Sequence, residues 1–183
     1  MYSHLLAKLR AWGCNSIAKN GVEEVLHLPQ HGDLAYLHTI FPPLEPENIE
    51  EMANYFGEYF HPSIRAFLEV TNGFDIFRGR LSVFGFQHNL DRDPDRPEPF
   101  DLRSPARPSS DNSKFRFSVP VASYGSDGSI LWLDGISGHV LRRNRKTLAP
   151  MGPGWPSLEI ALTAEYERIA AHFGSDGTQL SSC

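Results

Sequence analysis

The hydrophobic period of this chain changes at Asn72–Gly73, within the stretch FLEVTNGFDIFRGRLSVFG at positions 67–85. Upstream, apolar residues recur at helical spacing: Ile49, Met52, Ala53 and Phe56 in one segment, then Ile64, Phe67, Leu68 and Thr71 in the next. Pro46 and Pro62 sit where a first helical residue is expected, and acids follow Pro46 in the first turn. Asn72–Gly73 is expected to stop the second helix, because glycine enters the left-handed region without side-chain strain. Downstream, Leu81, Val83 and Gly85 alternate against Ser82, Phe84 and Phe86, as in a strand buried on both faces. Phe74, Ile76 and Phe77 are expected in the core.

The strand pattern continues toward the C-terminus. FRFSVPVASYG alternates from Phe115 through Val121, and Pro120 makes that strand an edge or gives it a bulge. SILWLDGISGHVLRRN reads as two strands, Ser129–Asp134 and His139–Arg143, joined by a glycine-rich turn. A last helix follows in GWPSLEIALTAEYERIAAHFG, opened by Pro156 and closed by Gly174. Its apolar side holds Leu158, Ile160, Leu162, Tyr166, Ile169 and Phe173. At the other end, Ser3 is placed to cap a helix carrying Leu5, Leu6, Leu9 and Trp12 on one face. GVEEVLHLP fits a short helix or a strand, and DLAYLHTIFPP is strand-like until its prolines.

The expected fold is α+β: N-terminal helices, a central and mainly antiparallel meander, and a C-terminal helix packed on the sheet. Residues 1–45 form a helical or extended segment packed on the same domain, 46–174 the α+β domain, and 175–183 a flexible tail.

Several function classes are disfavoured. A net charge of −5 lacks the basic stripe that nucleic-acid binding requires. The run LRRNRK at 141–146 holds four cations without interleaved aromatics and reads as a solvated strand end. No window approaches 18 apolar residues and the N-terminus lacks a signal-peptide pattern, so neither a membrane nor export is expected. Cys14 and Cys183, the only cysteines, make no disulfide framework, and a cytoplasmic setting is expected.

No catalytic constellation, metal site or cofactor motif is expected. Asp91, Asp93 and Asp95 have the first three spacings of a calcium loop, but the glycine and glutamate positions hold Arg96 and Leu102. His27, His31 and His38 are interrupted by Pro29 and Gly32 and form no helical ligand face. YGSDGS and DGISG do not match a nucleophile elbow. Glu165 and Glu167 share a helix whose apolar stripe faces the core, and Cys14 has no base beside it in sequence. Trp132 and Trp155 read as packing residues.

Between the strands lies the long Pro-rich and charged segment QHNLDRDPDRPEPFDLRSPARPSSDNS, and loops of this length are often functional. Its acids Asp91, Asp93, Asp95, Glu98 and Asp101 are the expected contacts to a basic protein partner.

Taken in order, the residues resemble the SUKH superfamily of cell-wall-assembly regulators and bacterial immunity proteins. The likeness spans roughly 49–173. It rests on Pro62, Phe67, Leu68, Asn72 and Gly73; on Phe84 and Gly85; on Tyr124, Gly125, Asp127 and Gly128; and on Asp134, Gly138 and Val140. His61, before the proline, departs from the apolar residue usual there. The resemblance implies a non-enzymatic α+β domain that binds and neutralises a cognate toxin, often a nuclease or deaminase domain. The alternative is an adaptor or regulatory scaffold on the same fold. It also implies that the motif residues serve the fold and that loops choose the partner.

Overall fold

The computed structural model describes residues 2–17, 21–32, 35–87, 98–103 and 117–180. Four helices accompany one eight-stranded sheet. The helices are α1 (Ser3–Arg10), α2 (Pro46–Phe56), α3 (Pro62–Leu68) and α4 (Leu158–Ala170). The strands are β1 (Asn15–Ile17), β2 (Glu23–His27), β3 (Tyr36–Ile40), β4 (Phe74–Ile76), β5 (Leu81–Val83), β6 (Ser118–Tyr124), β7 (Ile130–Asp134) and β8 (Val140–Arg143). Their spatial order is their sequence order, and every neighbouring pair is antiparallel. The fold is therefore α+β with a meander and a closing helix. No helix among the described residues is long and apolar enough to cross a membrane.

The sheet begins earlier than the change of period suggests. Three strands precede α2, and the chain returns from α2 and α3 to lay β4 beside β3, pairing Ile40 with Phe74 and His38 with Ile76. Among the described residues, the first 45 contribute α1 and three of the eight strands, so the extended part of this segment is built into the sheet itself. In β2 only Val25 is fully buried, so five residues offer too little alternation to separate strand from helix.

Proline in β6 produces a bulge, not an edge. Opposite Leu133 and Leu131 on β7 stand Val119 and Ala122, three residues apart facing two, with the register shift between Pro120 and Ala122. The extra residue keeps both leucines and both partners in the main core, while Ile130 and Trp132 are buried outside that cluster.

The strand ends are closed by one repeated loop. Tyr124, Asp134 and Asn144 each take the N–H of the residue four later on their carbonyl, and each donates its own N–H to the carbonyl five later. The fourth loop position is left-handed in all three: Gly128, Gly138 and, at φ 58°, Leu148.

Some capping differs from expectation. Ser3 is the first residue of α1, and Tyr2 precedes it without a side-chain cap. Ser157, not Pro156, caps α4, its Oγ accepting the Ile160 N–H at 3.3 Å. Ile160 itself is 49% exposed, because α4 turns Leu158, Ala161, Leu162, Glu165, Tyr166 and Ile169 inward. Residues 175–180 are not a free tail: the Gly174 N–H bonds the Thr178 carbonyl, the Leu180 N–H bonds the His172 carbonyl, and Gly177 packs against Leu26, Leu28 and Leu37.

Candidate functional site

Asn72–Gly73 does not end a helix. α3 stops at Leu68, and Gly73, at φ +97°, lies where two backbones cross: a Cβ there would sit 2.6 Å from the Val83 carbonyl oxygen. From the other side, a Cβ on Gly85 would meet the Asn72 carbonyl oxygen at 2.0 Å. Neither position has room for a side chain. The buried Asn72 amide then acts like one more strand residue. Its Nδ2 donates to the Phe86 carbonyl at 2.9 Å, and its Oδ1 accepts the Phe86 N–H at 2.6 Å. Thr71, fully buried beside it, donates its hydroxyl to the carbonyls of Phe41 and Gly73.

This clamp holds the root of the long charged loop. Gly85 forms an isolated parallel bridge with Asp101 on its other side, with the Gly85 N–H on the Phe100 carbonyl and the Leu102 N–H on the Gly85 carbonyl. Asp101 and Arg103 close the root. The Asp101 carboxylate accepts the N–H groups of Gln87 and Arg103, and the Arg103 guanidinium holds it from Nε and Nη2. Arg103 also donates to the Gln87 carbonyl and to Glu51 on α2, and it stacks 4.3 Å from the Phe86 ring.

The acidic contact set therefore changes. Asp101 is 5% exposed and its oxygens are engaged internally, so it anchors the loop and is withdrawn from any partner. Glu98 is half-buried just before the anchor. Asp91, Asp93 and Asp95 lie outside the described residues.

The other motif residues hold turns and packing. Pro62 opens α3, and Phe67 and Leu68 are buried in the core. His61 caps that helix through Nδ1, which accepts the Ser63 N–H at 3.2 Å, and its ring lies against Gly138. A polar residue is used there because it supplies the cap. Asp134 accepts N–H groups from Ile136 and Ser137; although partial burial works the other way, these bonds hold its carboxyl below the usual range.

A second ionic cluster surrounds Tyr124. The run LRRNRK is not merely solvated: Arg142 donates to Ser129 and Asp127 and covers the Tyr124 ring at 3.9 Å. Beneath it, buried Glu165 accepts Nε and Nη2 of Arg168 on a single oxygen. Sequence spacing missed this cluster because its members come from β6, β8 and α4. Its local signals are the i,i+3 pair Glu165–Arg168 and the turn in which Asp127 accepts from Ser129.

Among the described residues the histidines do not converge. His27 and His31 are exposed, and His38 is buried among Trp12 and Phe77. Among the described residues no three His, Cys, Asp or Glu side chains are grouped to hold a metal ion. Cys14 is exposed, and Cys183 lies outside the described residues.

Compared with protein-family models, with curated proteins and with solved structures, the chain matches none of them.

Proposed function

We propose that this chain is a SUKH-like immunity protein that binds and neutralises a cognate toxin domain, a nuclease or deaminase, in the cytoplasm and without catalysing a reaction itself. One observation supports the reading. The residues that carry the resemblance are consumed by the fold: Asn72, Gly73 and Gly85 form the backbone clamp, and Asp134 and Gly138 form a turn. Recognition then falls to the loop that the clamp and the Asp101–Arg103 pair root. Its acids, less Asp101, complement a basic toxin domain, chiefly by speeding encounter.

The test is co-expression with the toxin domain encoded next to this chain. Neutralisation is expected, and reversing Asp91, Asp93 and Asp95 to lysine should slow association and reduce its salt dependence. Failure to protect cells from that toxin would sink the reading. Capture of several endogenous proteins, with no adjacent toxin gene, would favour an adaptor instead.

A further inference from the structure

Three large apolar side chains from separate segments meet beside the turn that joins β7 to β8. Tyr59 lies in the single turn after α2, Phe117 just precedes β6, and Ile136 sits in the β7–β8 turn itself. The Tyr59 and Phe117 rings are 4.9 Å apart, and the Gly135 N–H bonds the Phe117 carbonyl. A Cβ on Gly135 would lie 2.8 Å from the Tyr59 Cβ, so the turn is seated on that tyrosine. We propose that this face is the apolar centre of a protein interface and that its partner is a basic protein surface.

Single exposed apolar residues are ordinary, but these converge. Phe117 is 37% exposed, Ile136 is 68% exposed, and Tyr59 is half-buried. The turn does not require isoleucine. The three repeated loops place Ser126, Ile136 and Lys146 at one equivalent position, two residues after the one that opens each loop, and all three are exposed. The same loop thus accommodates serine and lysine there, and folding gives no reason for an apolar residue at 136. The turn is also held rigidly. Asp134 accepts the N–H groups of Ile136 and Ser137, and Gly138 packs against the His61 ring. A partner therefore meets Ile136 already in place, without the ordering cost of a mobile loop.

Charge selects the occupant. Residues 45–60 hold five acids, Glu45, Glu47, Glu50, Glu51 and Glu58, and no lysine or arginine. Arg65 meets Glu50 and Arg103 meets Glu51, which leaves Glu45, Glu47 and Glu58 without a cationic partner among the described residues. Glu58 is exposed next to Tyr59. A second copy docking through the same face would bring these acids against their own counterparts, and an anionic membrane would meet the same repulsion. A surface with an apolar centre and a lysine or arginine rim meets neither penalty. Arg103 also ties the root of the charged loop to Glu51, one helical turn before Tyr55, which is 48% exposed. The loop and this face thus adjoin through α2. The inference rests on the reading of the chain as a binder of a basic toxin domain, and it divides the labour: the loop acids speed encounter, and the apolar centre slows release.

The experiment is the association and dissociation kinetics of the full chain with the toxin domain encoded next to it, with oligomeric state followed by sedimentation. Ile136→Ser, which copies the residue of the first repeated loop, should weaken binding about tenfold through faster dissociation, with an unchanged thermal midpoint. Adding Phe117→Ser should bring the loss to about a hundredfold, and Glu58→Lys should slow association. Ile17→Ser, on the β1 edge of the sheet where Ile17 is 77% exposed, should bind as the parent does. Parent binding that Ile136→Ser and Phe117→Ser leave unchanged would overturn the interface while the toxin reading stands. A parent that does not bind the toxin domain would overturn both. A parent dimer that Ile136→Ser converts to monomer would make a second copy the occupant and overturn the basic partner.

Discussion

Asn72 does with one side-chain amide what a further strand residue would do with its peptide group. Asn72→Ala removes both partners of the Phe86 backbone at a buried position, where each unmet group costs about 1–3 kcal/mol. A loss of about 3 kcal/mol in unfolding free energy is expected, measured by urea titration; a loss below about 1 kcal/mol would count against the clamp. His38 makes a different kind of prediction. It is 1% exposed, its Nδ1 accepts the Phe77 N–H, and burial pushes its pKa down from 6.5 to about 3. The folded state therefore refuses a proton that the unfolded chain accepts below pH 6.5. Stability contributed by neutral His38 is fully present above pH 6.5 and falls as the pH drops toward 3, by up to about 1.4 kcal/mol per unit. Urea midpoints at pH 7, 6 and 5 should show this slope, and His38→Gln should flatten it. Equal slopes in both proteins would remove His38 from the account.

At the scale of elements, the three repeated loops differ in one residue that matters. Gly128 and Gly138 enter the left-handed region freely, whereas Leu148 does so at φ 58° with a β-carbon in place. Leu148→Gly should therefore raise stability by about 1 kcal/mol, seen as a higher thermal midpoint; a fall would mean that the half-buried leucine side chain outweighs its strain. The loops also show what a sequence can disclose. Asp134 and Asn144 announce their turns by residue type, since such side chains bond the backbone two and three residues on. Nothing in Leu148 announces a left-handed residue. Likewise Leu158, Leu162, Tyr166 and Ile169 disclose the buried side of α4, whereas Ile160 is exposed although hydrophobicity alone would place it with them. The helix instead inserts Glu165, whose charge Arg168 meets.

For the whole molecule, the sheet has no natural division near residue 45. β3 pairs with β4, and Leu5, Leu6, Leu9, Val25, Leu28, Leu37 and Ile40 belong to the same core as Phe67, Phe74 and Tyr166. A chain lacking residues 1–43 would leave β4 as an unpaired edge over an opened core. It should show no cooperative thermal transition and little amide dispersion. A cooperative melt with dispersed amides would mean that 46–180 is a domain on its own. The C-terminal turn argues the same way, since Gly177 packs on Leu26, Leu28 and Leu37.

Period and punctuation in the sequence determined the class of fold, the helices that begin at Pro46 and Pro62, the meander of β5 to β8, and the closing helix. These depend on local spacing and on turn residues, which are readable in one dimension. Tertiary structure alone decided what Asn72, Gly73 and Gly85 do, because their roles arise from backbones crossing that are a dozen residues apart in the chain. It also decided that Asp101 faces Arg103 and not solvent, and that Tyr59, Phe117 and Ile136 share one face. Charge and apolar exposure at such places are set by which distant elements meet, and no local period encodes that meeting.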